Sequence, residues 1–161
     1  MENKYKKAVF GAGCFWSVEH DLSNLPGVIE TSAGYMGGDE EEYPNPTYEQ
    51  VCSDKTNYAE VVQVIFDPKK INYSQLLDSF WRSHDPTALN RQGPDIGTQY
   101  RSVIFYTNEE QKKEAEDSKK EFQKNLGKPI VTQILPAKTF FKAEEYHQHY
   151  LKKTGRVSCR I

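Results

Sequence analysis

The stretch from Tyr58 to Phe66 limits the fold more than any other part of the chain, because its β-branched residues favour an extended conformation. Alternation puts Tyr58, Glu60, Val62, Val64 and Phe66 on one face, and Ala59, Val61, Gln63 and Ile65 on the other. Asp67-Pro68 stops the strand. Glu60 is its odd member, a carboxyl that shares a face with Val62, Val64 and Phe66 and so points the way of the core. Desolvation there would keep it protonated, the state that a general acid requires. The alternative is a carboxylate that reaches solvent at the sheet rim.

Strands and helices surround this element in mixed order. Lys7 to Phe10 reads as a short strand running into Gly11, and a helix follows from about Cys14, with Trp16, Val18, Leu22 and Leu25 near one face. Pro26-Gly27 ends that helix; Val28 to Tyr35 is extended up to Gly37-Gly38, and Asp39 to Pro46 is a surface loop. A helix is predicted over Tyr73 to Ser83, with Asn72 and Gln75 as a capping box and Leu76, Leu77, Phe80 and Trp81 as its buried stripe. Asn90 to Gln99 is a polar loop with glycines, and Arg101 to Thr107 is a strand. Asn108 caps a long charged helix to Leu126, where Glu109–Lys113 and Glu116–Lys120 are spaced to pair. Ile130 to Leu135 forms a strand, and Ala143 to Lys153 a last helix ending at Gly155. No linker, repeat or low-complexity segment divides residues 1–161, so the expectation is one two-layer domain of the α+β or α/β class, with residues 154–161 as a mobile tail.

Composition removes several classes of function. Lys and Arg (21) nearly balance Asp and Glu (23), which excludes the basic field that a nucleic-acid or anionic-membrane surface needs. Met1 to Lys7 lacks the apolar core of a signal peptide, and no apolar run approaches a membrane span, so a cytoplasmic location is expected. No exposed apolar stripe is evident, which favours a monomer. The three cysteines, Cys14, Cys52 and Cys159, include no CxxC pair. They make neither a disulfide framework nor a zinc site; no metal is expected, and any disulfide that matters would be transient.

The chemistry gathers at Gly11-Ala12-Gly13-Cys14-Phe15-Trp16. A thiol at a helix N-terminus meets free backbone N–H groups and the positive end of the dipole, which favour the thiolate. Phe15 and Trp16 offer an apolar slot beside it. The third glycine of a dinucleotide fingerprint is replaced by Trp16, which sets that reading aside. Cys52 sits among ordinary residues and is expected to be buried and inert. Tyr48 and Tyr100, beside turn residues, can donate hydroxyl hydrogens, and Asp95 lies in the Gly93–Gly97 turn. His20, His84, His147 and His149 raise a Cys–His hydrolase or a metal site, but packing roles fit each better, and a helix would splay His147 from His149. A cysteine placed like Cys159, close to the C-terminus, is usually incidental, but with a reactive Cys14 it becomes the natural resolving thiol, since a mobile tail can bring it to a sulfenic acid.

These residues resemble the peptide methionine sulfoxide reductase A family. The resemblance starts at Gly13-Cys14-Phe15-Trp16 and Val18-Glu19, and continues through Gly34-Tyr35, Gly37-Gly38, Asn45-Pro46-Thr47-Tyr48, Ala59-Glu60-Val61-Val62 and Asp67-Pro68. It then runs through His84-Asp85-Pro86, Asn90-Arg91-Gln92-Gly93, Asp95, Gly97 to Ser102, Ala143-Glu144 and Tyr146-His147-Gln148, nearly the whole chain in one order. It implies an α+β, ferredoxin-like two-layer sandwich: a mixed sheet with helices packed on it, long loops and an irregular C-terminal tail. It also implies repair of oxidised proteins by reduction of methionine S-sulfoxide, free or protein-bound. Cys14 would attack the sulfoxide sulfur, Glu60 would be the acid, and Tyr48 and Tyr100 would bond the oxygen. Phe15 and Trp16 would wall the methyl slot, and Asp95 would order the site. Cys159 would then form a disulfide with Cys14, and thioredoxin, an external reductant in place of a bound cofactor, would reduce it.

The chain departs from the family at Ser17, where glycine is usual, and at Asn57-Tyr58, where Gly-His is common. Tyr58 shares the face of Glu60, so an influence on the acid is expected. A second tail cysteine, common in the family, is missing before Ile161, which would leave thioredoxin to reach Cys159 directly. Two other readings stay open from the residues alone. One is a Cys–His hydrolase using Cys14 with His84 or His147. The other is a binding module that holds methionine side chains against Phe15 and Trp16.

Overall fold

The computed structural model describes residues 4–155, and Cys159 with its tail lies outside the described residues. In chain order the elements are β1 (Lys6–Ala12), α1 (Phe15–Ser23), β2 (Val28–Met36), α2 (Tyr48–Cys52), β3 (Ala59–Phe66) and α3 (Tyr73–Ser83). There follow β4 (Arg91–Gln92), β5 (Asp95–Ile96), a 3₁₀ turn (Thr98–Tyr100), β6 (Ser102–Tyr106), α4 (Glu109–Gln123), β7 (Gln133–Pro136) and β8 (Phe141–Lys142). A second 3₁₀ turn (Glu145–His147) and α5 (Tyr150–Thr154) complete it.

β3 lies inside a sheet of order β7-β6-β1-β3-β2-β8, paired antiparallel to β1 and to β2. The β6–β7 pair is parallel, so the sheet is mixed. β1, α1, β2, β3, α3 and β6 form the interlocked βαβ pattern of a ferredoxin-like fold, with β6-β1-β3-β2 at the centre. The α+β expectation holds. The two faces of β3 explain its place. Val62, Val64 and Phe66 join Phe10, Leu76, Phe80 and Ile104 under the helices, while Ala59 and Val61 join Val9, Val103 and Phe105 on the opposite face, against Ala137 and Phe140.

α3 shows how local chemistry sets an element. The Asn72 side chain accepts the Gln75 N–H at 2.8 Å, and the Gln75 side chain accepts the Asn72 N–H at 2.9 Å. Between them they satisfy two of the N–H groups that this end of the helix leaves open. Leu76, Leu77, Phe80 and Trp81 are buried as their spacing predicts. Asn72→Ala is expected to cost about 1 kcal/mol and lower Tm by about 2–4 °C. Thermal unfolding measures this, and an unchanged Tm would mean that burial alone holds the helix start.

Three expectations need correction. The Asn90–Gln99 loop contains the β4–β5 hairpin and a 3₁₀ turn. On α4 the described ion pair is Lys124 with Glu121 at 2.8 Å, not Glu109–Lys113 or Glu116–Lys120. The last helix is broken: a 3₁₀ turn ends at His147, His149 takes a left-handed φ of 52°, and α5 starts only at Tyr150. The Gln148 side chain causes the break, because its amide accepts the Ala33 N–H at 2.8 Å and donates to the Ala33 carbonyl at 2.9 Å. It thus acts as one more strand partner for β2, next to the short β8. The buried Glu19 carboxylate then accepts the His149 N–H at 2.7 Å.

Candidate active site

β1 ends at Ala12, and Gly13 turns the chain at φ 98°, a value that only glycine adopts without strain. Cys14 becomes the N-cap of α1, 8% exposed. The first N–H of the helix, on Phe15, donates to Glu60 Oε1 at 3.2 Å. Glu60 faces Tyr35 across the β2–β3 ladder and is 1% exposed, which selects the buried reading over the rim. One hydrogen bond thus joins the β3 carboxyl to the backbone next to the thiol.

The two tyrosines come from separate segments. Thr47 and Gln50 form a capping box that starts α2 at Tyr48. The Tyr48 N–H donates to Glu144 Oε2 at 3.0 Å, while Glu144 Oε1 accepts the Tyr35 hydroxyl at 3.0 Å. Burial opposes the charge of Glu144, but these donors and its own backbone N–H hold its pKa below the usual carboxylate range. Tyr100 closes the first 3₁₀ turn. Burial pushes its hydroxyl pKa up, and negative charge at Glu60, Cys52, Asp95 and Cys14 pushes it further. Tyr48 is raised by burial first and then by Glu60. Both therefore stay protonated donors at neutral pH. Asp95, Glu60 and Cys14 thus all act electrostatically on the Tyr100 hydroxyl.

Phe15 is fully buried, its ring against Tyr35, Tyr48 and His147 at centroid distances of 5.7, 6.4 and 5.1 Å. Trp16 is half-buried and stacks on Tyr150 at 3.7 Å. Its indole N–H donates to His147 Nδ1 at 3.0 Å. His147 is thus buried and packed among aromatic rings, as the packing role expected for it requires, and it also accepts from Trp16. The bond leaves the imidazole hydrogen on Nε2, and burial lowers the histidine pKa, so the ring is neutral. A continuous helix was expected here, and the 3₁₀ turn is what brings His147 inward. The signal in the sequence was Trp16 itself, since an indole N–H in an apolar wall needs an acceptor.

Two more expectations change. Cys52 is exposed, not buried, at the end of the short α2. Partial burial still raises its thiol pKa, partly offset by a hydrogen bond with the Tyr48 hydroxyl. Tyr58 does not retune Glu60 through a hydrogen bond: its hydroxyl donates to the Tyr43 carbonyl at 2.7 Å. Its ring covers Gly38, where a Cβ would come within 2.4 Å of it. Tyr58 is therefore an anchor for the loop before α2. His84 is committed elsewhere, with its ring nitrogens 2.7 Å from the Phe80 carbonyl and from Ser102 Oγ. Among the described residues no group of His, Cys, Asp and Glu could hold a metal ion, and no helix is long and apolar enough to cross a membrane.

Comparison with known proteins agrees with this geometry. The sequence profile of peptide methionine sulfoxide reductase matches residues 6–161. Peptide methionine sulfoxide reductase MsrA of Geobacter sulfurreducens is 58% identical over 157 residues, 96% of this chain and 95% of that protein. The crystal structure of Mxr1 from Saccharomyces cerevisiae in reduced form matches with a TM-score of 0.91 and 41% identity, covering 98% of this chain and 90% of that one. Mxr1 in complex with Trx2 matches with a TM-score of 0.63 and 30% identity, over 91% and 85% of the two chains. A profile that spans the described fold, and identity above half with a full-length relative, leave one conclusion: the chain belongs to the peptide methionine sulfoxide reductase family.

Proposed function

We propose that Cys14 is the nucleophile with which this reductase removes oxygen from methionine S-sulfoxide, free or in proteins, and that Glu60 protonates that oxygen. The Cys14 thiolate attacks the sulfoxide sulfur, and an S–S bond starts to form as the S–O bond weakens. Oxide leaves badly, so the proton from Glu60 and hydrogen bonds from Tyr48 and Tyr100 stabilise it in the transition state. The oxygen leaves as hydroxide, hydroxide then attacks the Cys14 sulfur, and the new S–S bond breaks with its electron pair on the methionine sulfur. Methionine thus departs reduced by two electrons, and Cys14 is left as a sulfenic acid, oxidised by two. The Cys159 thiol displaces water from it to give a disulfide, which holds the two-electron oxidation until an external dithiol reduces it. The hydrogen bond from Phe15 N–H to Glu60, beside Cys14, is the observation that carries this reading. Trp16, held by His147 and Tyr150, is one wall of the methyl slot, and Phe15 backs it. Asp95 orders the site near Tyr100.

Thioredoxin is the proposed reductant of the Cys14–Cys159 disulfide, so the cycle uses an external dithiol rather than a bound cofactor. The complex of Mxr1 with Trx2 supports it, as does the absence of a CxxC pair in this sequence. The cycle fits one catalytic domain whose last residues, 154–161, carry the resolving thiol, and a cytoplasmic setting in which free thiols persist.

A thiol count tests the scheme. Reduced protein mixed with methionine sulfoxide and no reductant is expected to form methionine and lose two of its three titratable thiols, with Cys52 left over. Methionine formed with all thiols intact would mean that the electrons come from elsewhere.

A further inference from the structure

We propose that Asp54 is a positioning residue that sets where the Tyr100 hydroxyl stands relative to Tyr48, an inference that rests on both tyrosines bonding the sulfoxide oxygen. The two hydroxyls belong to segments far apart in sequence. Tyr48 opens α2, and Asp54 follows closely after its end. Tyr100 closes the 3₁₀ turn that Thr98 opens. Asp54 Oδ1 accepts the Thr98 N–H at 3.0 Å and also the Thr98 hydroxyl. That N–H is one of those a 3₁₀ turn leaves without an internal acceptor, so the carboxylate caps the turn from another segment.

The tie is closed from the other side. The Thr98 carbonyl accepts from Arg101 Nη1 at 2.9 Å, and Arg101 Nη2 donates to the Asn57 carbonyl at 3.0 Å. The N–H and hydroxyl of Thr98 are thus fastened to Asp54 directly, and its carbonyl is linked to Asn57 through Arg101. Asp54 and Asn57 themselves take left-handed φ values of 64° and 62°. Asp and Asn are the non-glycine residues that adopt this conformation most readily, so the segment can turn here to present the Asp54 carboxylate to Thr98. The bonds to Thr98 also pull the Asp54 carboxyl below its ordinary pKa, so it stays charged, and the hydrogen bonds stay charge-assisted, at neutral pH. A displacement of about 1 Å in a group that must meet the reacting oxygen is enough to slow chemistry strongly.

Asp54→Gly is the informative change, because glycine adopts a φ of 64° freely and the backbone path survives without the tie. The readouts are single-turnover methionine formation, KM and Tm in wild type, Asp54→Gly, Asp54→Asn, Tyr100→Phe and the Asp54→Gly/Tyr100→Phe double variant. Asp54→Gly is expected to lower the single-turnover rate on the order of tenfold, with KM within about twofold and Tm retained. Asp54→Asn keeps an acceptor oxygen and should recover most of the rate. Once Tyr100→Phe has removed the hydroxyl, adding Asp54→Gly should cost almost nothing more, a coupling that a merely structural role does not produce. A wild-type rate in Asp54→Gly, or a loss that adds in full to that of Tyr100→Phe, overturns the proposal. A wild-type rate in Tyr100→Phe alone removes the role of Tyr100 instead, and with it the reason for positioning.

Discussion

Cys14→Ser is expected to abolish methionine formation on the first turnover, by on the order of 10⁴-fold or more, while Cys159→Ser leaves that turnover intact and stops the cycle. The asymmetry follows from what each sulfur does. The first turnover needs a polarisable nucleophile that can give up two electrons and carry oxygen. A serine hydroxyl is a far weaker nucleophile and cannot be oxidised in this way. In the proposed cycle Cys159 enters only after methionine has left, so its loss should strand Cys14 as a sulfenic acid that a 1,3-dicarbonyl probe can trap. The geometry limits folding artefacts in Cys14→Ser, since an N-cap position accepts serine readily. Quenched-flow measurement of methionine in the two variants is decisive, and equal first-turnover losses would sink the division of labour. Cys52→Ser is the control. Its thiol pKa is raised, and its hydrogen bonds to the Tyr48 hydroxyl and the Gln99 side chain predict a small rate effect with recycling preserved.

Much of this was legible where chemistry is local. The capping box at Asn72 and Gln75 and the alternation of β3 are written in neighbouring residues, and the structure follows them closely. Burial of Glu60 was half legible: its face was fixed by the strand period, but its depth depends on β2 and α1 covering it. What was hidden came from partners distant in sequence. Gln148 completes the edge of β2 and so breaks a helix that its own neighbourhood favours. His147 enters the site only because of that break, and then meets Trp16 from the far end of the chain. Cys52 looked like a core residue because its surroundings are bland, yet α2 is so short that its end projects to solvent. The tie from Asp54 to Thr98 joins two loops, and loop pairings carry no periodicity that a sequence can announce.

Glu60→Gln is expected to slow the chemical step by about 10²–10³-fold while substrate binding is mostly retained. The substitution is close to isosteric, and the amide oxygen can still accept the Phe15 N–H, so the start of α1 and the place of Cys14 should survive. What the amide cannot do is release a proton to the sulfoxide oxygen, which would otherwise have to leave as bare oxide. In the proposed mechanism Tyr48 and Tyr100 still donate hydrogen bonds to that oxygen, and burial keeps them protonated, which is why the loss should be large but not total. Single-turnover rates at neutral pH, with KM for binding and Tm as the check on folding, separate this role from a structural one. A near-normal rate in Glu60→Gln would remove Glu60 as the acid and leave the tyrosine hydroxyls as the proton source.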